Sequence, residues 1–200
     1  TAGGQPVSME NLRSVKKLAD QYKIPLLIDS ARFAENAYYI KRREEGYSGK
    51  NIREIVSEMY AMADMMTFSA KKDGLVNIGG LIGCKSKKVF QAASTYNIMF
   101  EGFISYGGLA GRDMAALSQG LYEVTEFPYL ESRIGQVAYL GENLLKLGIP
   151  IQEPVGGHAV FLNALEFLPQ IPREEFPAQT LAIELYLESG IRGVEIGALM

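Results

Sequence analysis

The apolar positions of this chain fall into short blocks whose spacing switches between helical and extended. Leu12, Val15 and Leu18 recur at helical intervals, with Lys16, Lys17 and Asp20 on the other side. That spacing predicts a helix from Ser8, as N-cap, to about Tyr22 with the apolar stripe inward. Pro25 then opens an unbroken apolar run, Leu26-Leu27-Ile28, closed by Asp29. A helix followed by such a run is the mark of a parallel sheet covered on both faces. A second helix is expected over residues 35 to about 45. Asn51 caps a third reaching about Met62, with Ile52, Ile55, Val56 and Met59 as its buried stripe. Residues 65–68 and 81–82 read as short buried strands around the polar stretch TFSAKKDGLVNIGG (67–80).

Further helices are expected over residues 86–98, 112–122, 128–147 and 176–189, the last with Leu181, Leu185 and Tyr186 inward. Residues 101–111 (EGFISYGGLAG) form a glycine-rich loop. Residues 158–162 (HAVFL) and the stretch after Gly190 read as strands. The long helix suggests a connector, which divides the chain into part of a large domain (1–127), the connector (128–150) and part of a small domain (151–200).

Composition narrows the partners. With 48% hydrophobic and 22% charged residues the chain is globular. A net charge of −3 gives no electrostatic reason to expect nucleic acid. The cluster Lys41-Arg42-Arg43 runs straight into Glu44-Glu45, as a solvated helix face does. The single cysteine, Cys84, excludes an intrachain disulfide and makes a reducing compartment the default. Together with the single histidine, His158, it also excludes a zinc site built from several such ligands. No apolar run is long enough to span a bilayer, so no membrane partner is expected. TAGGQPVS (1–8) lacks the features of a signal peptide and an initiator methionine, and VEIGALM (194–200) stops inside an apolar run. Both ends read as cuts, and the expectation is a piece of a longer protein.

The chemistry gathers in residues 67–80. A lysine pair, Lys71-Lys72, between two buried strands must be paired or deprotonated, since burying a free ammonium is costly. A deprotonated lysine amine is a nucleophile toward carbonyls. The alternative is a solvated turn with two exposed lysines. Asp29 and Arg32 fall at the C-terminal end of a predicted parallel strand, where open α/β sheets bind ligands; a structural ion pair is the alternative. Other motifs fail. GGLIGCKS (79–86) has Cys84 where a phosphate loop needs its second glycine, and GGLAG (107–111) is no dinucleotide fingerprint. His158 has no nucleophile and acid nearby in sequence to complete a triad. A lysine after one strand and an acid after another match pyridoxal phosphate chemistry. There the lysine forms the Schiff base and the acid faces the pyridine nitrogen.

The likeness extends to long motifs: AGGQPVS (2–8), DSARFAENAY (29–38), SAKKD (69–73), NIGG (77–80), EGF-x-x-YGGLAGRDM (101–114), EPVGGHAVF (153–161) and FPAQ (176–179). In these the chain resembles the beta-eliminating lyases, the family of tryptophanase and tyrosine phenol-lyase. The resemblance implies a three-layer α/β fold with a mainly parallel sheet, the aspartate aminotransferase type (fold type I), and part of a smaller α+β C-terminal domain. By position, it implies that Lys72 forms the Schiff base and removes the Cα proton. Lys71 orders the site, Asp29 faces the pyridine nitrogen, Arg32 lies beside the ring oxygen and Ser69 contacts the cofactor phosphate. Tyr106 belongs to the active-site region, and the backbone carbonyl of Asn77 binds an activating potassium ion. The implied cofactors are pyridoxal 5'-phosphate and K+. The implied substrate is a small-molecule amino acid, and the implied assembly a cytoplasmic homotetramer, a dimer of dimers, of the full-length protein.

Within the family, tyrosine phenol-lyases carry an arginine for the phenolic oxygen in a context resembling VRSMERG. Here IRGVEIG (191–197) places Ile196 at that position, and DSARFAENAY also leans toward tryptophanase. A phenol hydroxyl buried without a donor would cost about 1–3 kcal/mol. The implied reaction is β-elimination of L-tryptophan to indole, pyruvate and ammonia. The alternatives are tyrosine phenol-lyase chemistry, or a non-catalytic scaffold of the same fold, against which intact Lys72, Asp29 and Arg32 argue. Other family parts are expected outside these residues. They include the phosphate cup, the ring-stacking aromatic and the arginine for the substrate carboxylate. The chain by itself is therefore expected to bind cofactor weakly, if at all, and to be inactive.

Overall fold

The structure, a computed structural model, describes residues 2–196. The chain divides into two compact units, one of residues 6–133 and one of residues 1–5 with 134–200.

The first unit is built on a three-stranded sheet in the order β1-β2-β3, with β1 at Leu27–Asp29, β2 at Met65–Ser69 and β3 at Gly80–Cys84. β1 and β2 run parallel with Asp29 opposite Thr67, and β3 returns antiparallel with Gly80 opposite Ser69. The parallel pair is joined by α2 (Phe33–Arg43) and α3 (Ile52–Met62), the crossover that two parallel strands require. α1 (Met9–Gln21) precedes β1, while α4 (Lys87–Phe100) and α5 (Gly111–Glu123) follow β3.

Local signals fix the helix starts. Ser8 accepts a hydrogen bond from the Asn11 N–H at 3.0 Å. Asn51 and Glu54 form a reciprocal capping box, and Ser86 caps α4. The core lies where α2 and α3 meet, with Phe33, Ala37, Ile40, Ile52, Ile55 and Met59 buried. Phe33 packs edge-on against Phe68 of β2 at 5.6 Å, which seats α2 on the sheet.

Several expectations need correction. Leu27 is 48% exposed and β3 is largely open, so these strands are not covered on both faces. Three strands among the described residues leave β1 and β3 as edges, and the continuous apolar runs mark surfaces with no cover in this unit. Val15 and Leu18 of α1 are exposed as well, and so is Tyr186 in the other unit. α4 buries none of its residues. Among the described residues, no helix is long and apolar enough to cross a membrane.

The second unit contains most of α6 (Phe127–Lys146), the short α7 (Ala164–Phe167) and α8 (Pro177–Ser189). The strand expected at 158–162 is reduced to one bridge between Ile151 and Leu162, and the preceding Gly156-Gly157 packs against Gly3-Gly4. The Gly157 N–H donates to the Gly4 carbonyl at 3.2 Å. Residues 191–196 are irregular rather than a strand, and the expected strand's remainder, 197–200, lies outside the described residues.

A charged cluster ties α1 to α3. Glu58 accepts from Lys50 Nζ at 2.7 Å and from the Tyr47 hydroxyl at 2.6 Å, and it pairs with Arg13 at 2.5 Å. Led by the Lys50 hydrogen bond, these partners lower the Glu58 carboxyl from 4.5 to about 2. A carboxylate with a depressed folded pKa stabilises the fold above its unfolded value and loses that contribution as pH falls through the folded one. Glu58→Gln should therefore lower the thermal midpoint above pH 4.5 and narrow its gap to the parent as pH falls toward about 2. Melting curves across that range provide the check, and a gap independent of pH would contradict the assignment.

Candidate active site

Register places the chemistry. Because β1 and β2 are parallel with Asp29 opposite Thr67, both strands end at the same edge, as ligand sites of open α/β sheets require. Asp29 is the last residue of β1 and Ser69 the last of β2. The Ser30 N–H donates to the Thr67 carbonyl at 2.8 Å, extending the pairing beyond Asp29. Asp29 Oδ1 accepts from the Ala31 N–H at 3.2 Å, which turns the chain toward α2.

A cleft of about 1000 Å³ opens at this edge, bounded by β2, β3, α4 and the 101–109 loop. Asp29, Ser69, Lys71, Asn77 and Tyr106 are all among its lining residues. Lys72 and Arg32 are not, although Lys72 Nζ donates to the Ser69 hydroxyl at 2.9 Å. Arg32 stands at the N-cap of α2 without a side-chain capping bond. Tyr106 stacks on Phe103 at 6.3 Å within the glycine-rich loop. Ile196 belongs to the other unit, where it is half-exposed.

The lysine pair corrects one premise. Both lysines are exposed, so the described residues do not supply the desolvation expected of a buried pair. The turn that carries them is nevertheless closely held. The Ala70 N–H donates to the Gly79 carbonyl at 3.0 Å, and the Leu75 N–H to the Lys72 carbonyl at 3.1 Å. Gly79 adopts φ 97°, a conformation that favours glycine, and a Cβ there would come within 3.0 Å of Leu109.

Beneath the turn lie residues whose part the sequence did not reveal. Asp73 is buried, and its Oδ2 accepts from the N–H groups of Ala34 at 2.8 Å and Glu35 at 3.2 Å. Arg133 reaches buried Glu35 at 3.1 Å and Asp73 at 3.7 Å. Burial pushes the Asp73 carboxyl above the ordinary aspartate range, against the opposing pull of Arg133 and the two amides. SAKKD advertises Asp73, but a cap supplied from 39 residues away leaves no local signal. Gly120 of α5 packs directly on Gly74, equally without a sequence cue.

The donor set suits a phosphorylated aldehyde of pyridine. It offers an amine for the carbonyl, a hydroxyl and an ammonium group for the phosphate, and a carboxylate for the ring nitrogen. Comparison with known proteins agrees. The beta-eliminating lyase family model matches residues 1–200. The chain belongs to the beta-eliminating lyase family. It is 64% identical over its whole length to a Trichomonas vaginalis protein assigned as a beta-eliminating lyase, of which it covers 44%. It is 54% identical to a tryptophanase of Salinibacter ruber over 100% of this chain and 42% of that one. To a tyrosine phenol-lyase of a Symbiobacterium species it is 55% identical, over 98% of this chain and 43% of that one. The chain thus spans less than half the length of the curated relatives it matches. A Listeria monocytogenes structure assigned as an L-allo-threonine aldolase shares the fold at 17% identity, with a TM-score of 0.61 over 96% of this chain and 47% of that one. The α/β architecture of fold type I is therefore the fold of this family member.

The Gly74–Gly120 contact gives a prediction of sign. A Cβ on Gly120 would overlap the Gly74 carbonyl oxygen, whereas one on Gly135 of α6 meets nothing within 4 Å. In the full-length protein Gly120→Ala should destabilise by about 1–3 kcal/mol through overpacking. Gly135→Ala should stabilise by roughly 0.5–1 kcal/mol through helix propensity. Denaturant midpoints measure both, and two shifts of the same sign would contradict the packing described.

Proposed function

We propose that the full-length protein is a pyridoxal phosphate-dependent carbon–carbon lyase that eliminates the side chain of an aromatic amino acid. Its preferred reaction is L-tryptophan to indole, pyruvate and ammonia. The observation that carries this reading is the meeting of Asp29, Ser69 and Lys71 in one cleft at the strand ends, with Lys72 bonded to Ser69.

When bound, pyridoxal phosphate supplies an electron-accepting ring for the pair released at the substrate Cα. The Asp29 carboxylate, which lines the cleft, would hold a proton on the ring nitrogen and so make the ring a better acceptor. Lys72 Nζ would hold the cofactor at its carbonyl and, as a free amine, would take the proton from the substrate Cα. The Ser69 hydroxyl, which accepts from Lys72 Nζ at 2.9 Å, would contact the phosphate. Lys71 would order the surroundings, Arg32 would stand beside the ring oxygen, and Tyr106 lines the cleft from the glycine-rich loop. The Asn77 backbone carbonyl would bind potassium, as the family resemblance implies. The same resemblance supports a cytoplasmic homotetramer as the working assembly.

Tryptophan as substrate rests on Ile196, an apolar residue suited to an indole face. Tyrosine is the second reading, favoured by the 55% identity to a tyrosine phenol-lyase, which matches the 54% to a tryptophanase. Overall identity does not separate the two; the residue at position 196 can.

The full-length protein, supplied with pyridoxal phosphate and potassium, should release indole and pyruvate from tryptophan and little phenol from tyrosine. Phenol as the main product would overturn the reading of Ile196, and neither product would overturn the lyase assignment. Ile196→Arg should raise the phenol-to-indole ratio by about ten-fold or more, the scale of satisfying a buried hydroxyl. An unchanged ratio would remove Ile196 from specificity.

A further inference from the structure

We infer that Asp73 is a positioning residue, whose buried carboxylate clamps the lysine turn to the segment carrying Asp29 and Arg32 and so holds the two halves of the cofactor site in register. The inference rests on the cofactor reading above.

The first free N–H groups of a helix are ordinarily met by the side chain of the residue at the N-cap. In α2 that position is Arg32, a donor with no acceptor to offer, and its side chain makes no capping bond. The acceptor comes instead from Asp73, whose Oδ2 takes the N–H groups of Ala34 at 2.8 Å and Glu35 at 3.2 Å. Its own N–H donates to the Ala31 carbonyl at 3.4 Å. Asp73 therefore meets the 31–35 segment through its backbone and its side chain together.

Its position in the chain gives this contact a consequence beyond stability. Asp73 directly follows Lys72, and Ala31 lies two residues after Asp29. The path through Asp73 thus links the amine-bearing turn to the carboxylate-bearing loop by one short set of hydrogen bonds. If α2 needed only a cap, an aspartate or serine at position 32 would provide it locally. The cap is supplied by the lysine turn, and position 32 is left to an arginine.

Water does not soften the clamp, because Asp73 is 2% exposed and Glu35 4%. Two buried carboxylates so close together would repel, and Arg133 stands between them at 3.1 Å from Glu35 and 3.7 Å from Asp73. On the other side, Gly74 is pressed against Gly120, which limits retreat of the turn. The turn is held by the clamp and backed by α5.

The test uses the full-length protein and three variants, D73A, D73N and N51A, at a temperature where circular dichroism shows all of them folded. Asn51 caps α3 by its own side chain, so N51A removes a helix cap of the same kind away from the lysine turn. The readout is the dissociation constant for pyridoxal phosphate from its visible absorbance, set beside the thermal midpoint of the apoprotein. D73A should weaken cofactor binding by about ten-fold, the scale of one lost cap expressed at the site. N51A should lower the midpoint comparably and leave cofactor affinity unchanged. D73N keeps an acceptor for the amides but loses the charge facing Arg133, and should fall between D73A and the parent. Parent-like affinity in both Asp73 variants would overturn the inference, as would equal weakening in D73A and N51A. If D73A does not fold, D73N decides alone: about three-fold weakening supports the clamp and parent affinity overturns it. A parent protein that binds no pyridoxal phosphate would overturn the cofactor reading and this inference together. A parent that binds it beside unaffected variants would overturn the inference only.

Discussion

The parallel pairing of β1 with β2, Asp29 opposite Thr67, is the constraint on which the candidate site depends. It brings two strand ends to one edge, so an acid closing the first and a hydroxyl closing the second share a cleft. Everything after those ends must then turn back within a few residues. The first strand does so through the Asp29–Ala31 turn into α2, the second through the 70–79 turn that carries both lysines. Two turns from distant parts of the chain would be free to drift apart. Asp73, inserted from one turn into the helix start of the other, joins them.

The site is assembled from side chains of opposite demand. Lysines and a cleft-facing carboxylate need access to ligand, and they stand exposed at the strand ends. The groups that hold them, Asp73, Glu35 and Phe33, are buried. This division suits a site that must accept a charged cofactor while keeping its frame rigid. It also explains why the frame's carboxyl groups have amide and guanidinium partners. A buried carboxylate is tolerated only when such partners satisfy it.

Much of this was legible in sequence, for identifiable reasons. Helix starts at Ser8 and Asn51 carry local caps, and the stripe Ile52, Ile55, Met59 faces the core as its spacing requires. The strand ends at Asp29 and Ser69 follow from apolar runs closed by polar residues. What periodicity could not tell was how much of each apolar face finds a partner. Leu18, Leu27 and Ile82 have the right spacing and remain exposed, because burial depends on which elements are present to cover them. Of the two settings left open for the lysine pair, the structure shows the exposed turn, because apolar neighbours in sequence do not by themselves close an environment. Asp73, Arg133 and Gly120 escaped for a different reason: their partners are fixed by tertiary contact across dozens of residues. The strand expected at 158–162 is reduced to a single bridge, and the glycine–glycine contact just before it is one that no single-segment pattern encodes.

The central claim is that Lys72, bonded to Ser69 at the end of β2, is the residue that binds the cofactor carbonyl. The most direct test is borohydride reduction of the full-length protein with pyridoxal phosphate, followed by peptide mapping across residues 69–73. The account predicts one pyridoxyl group, on Lys72, and its loss in Lys72→Ala with Lys71 unmodified. A label on Lys71, or none in this peptide, would contradict it.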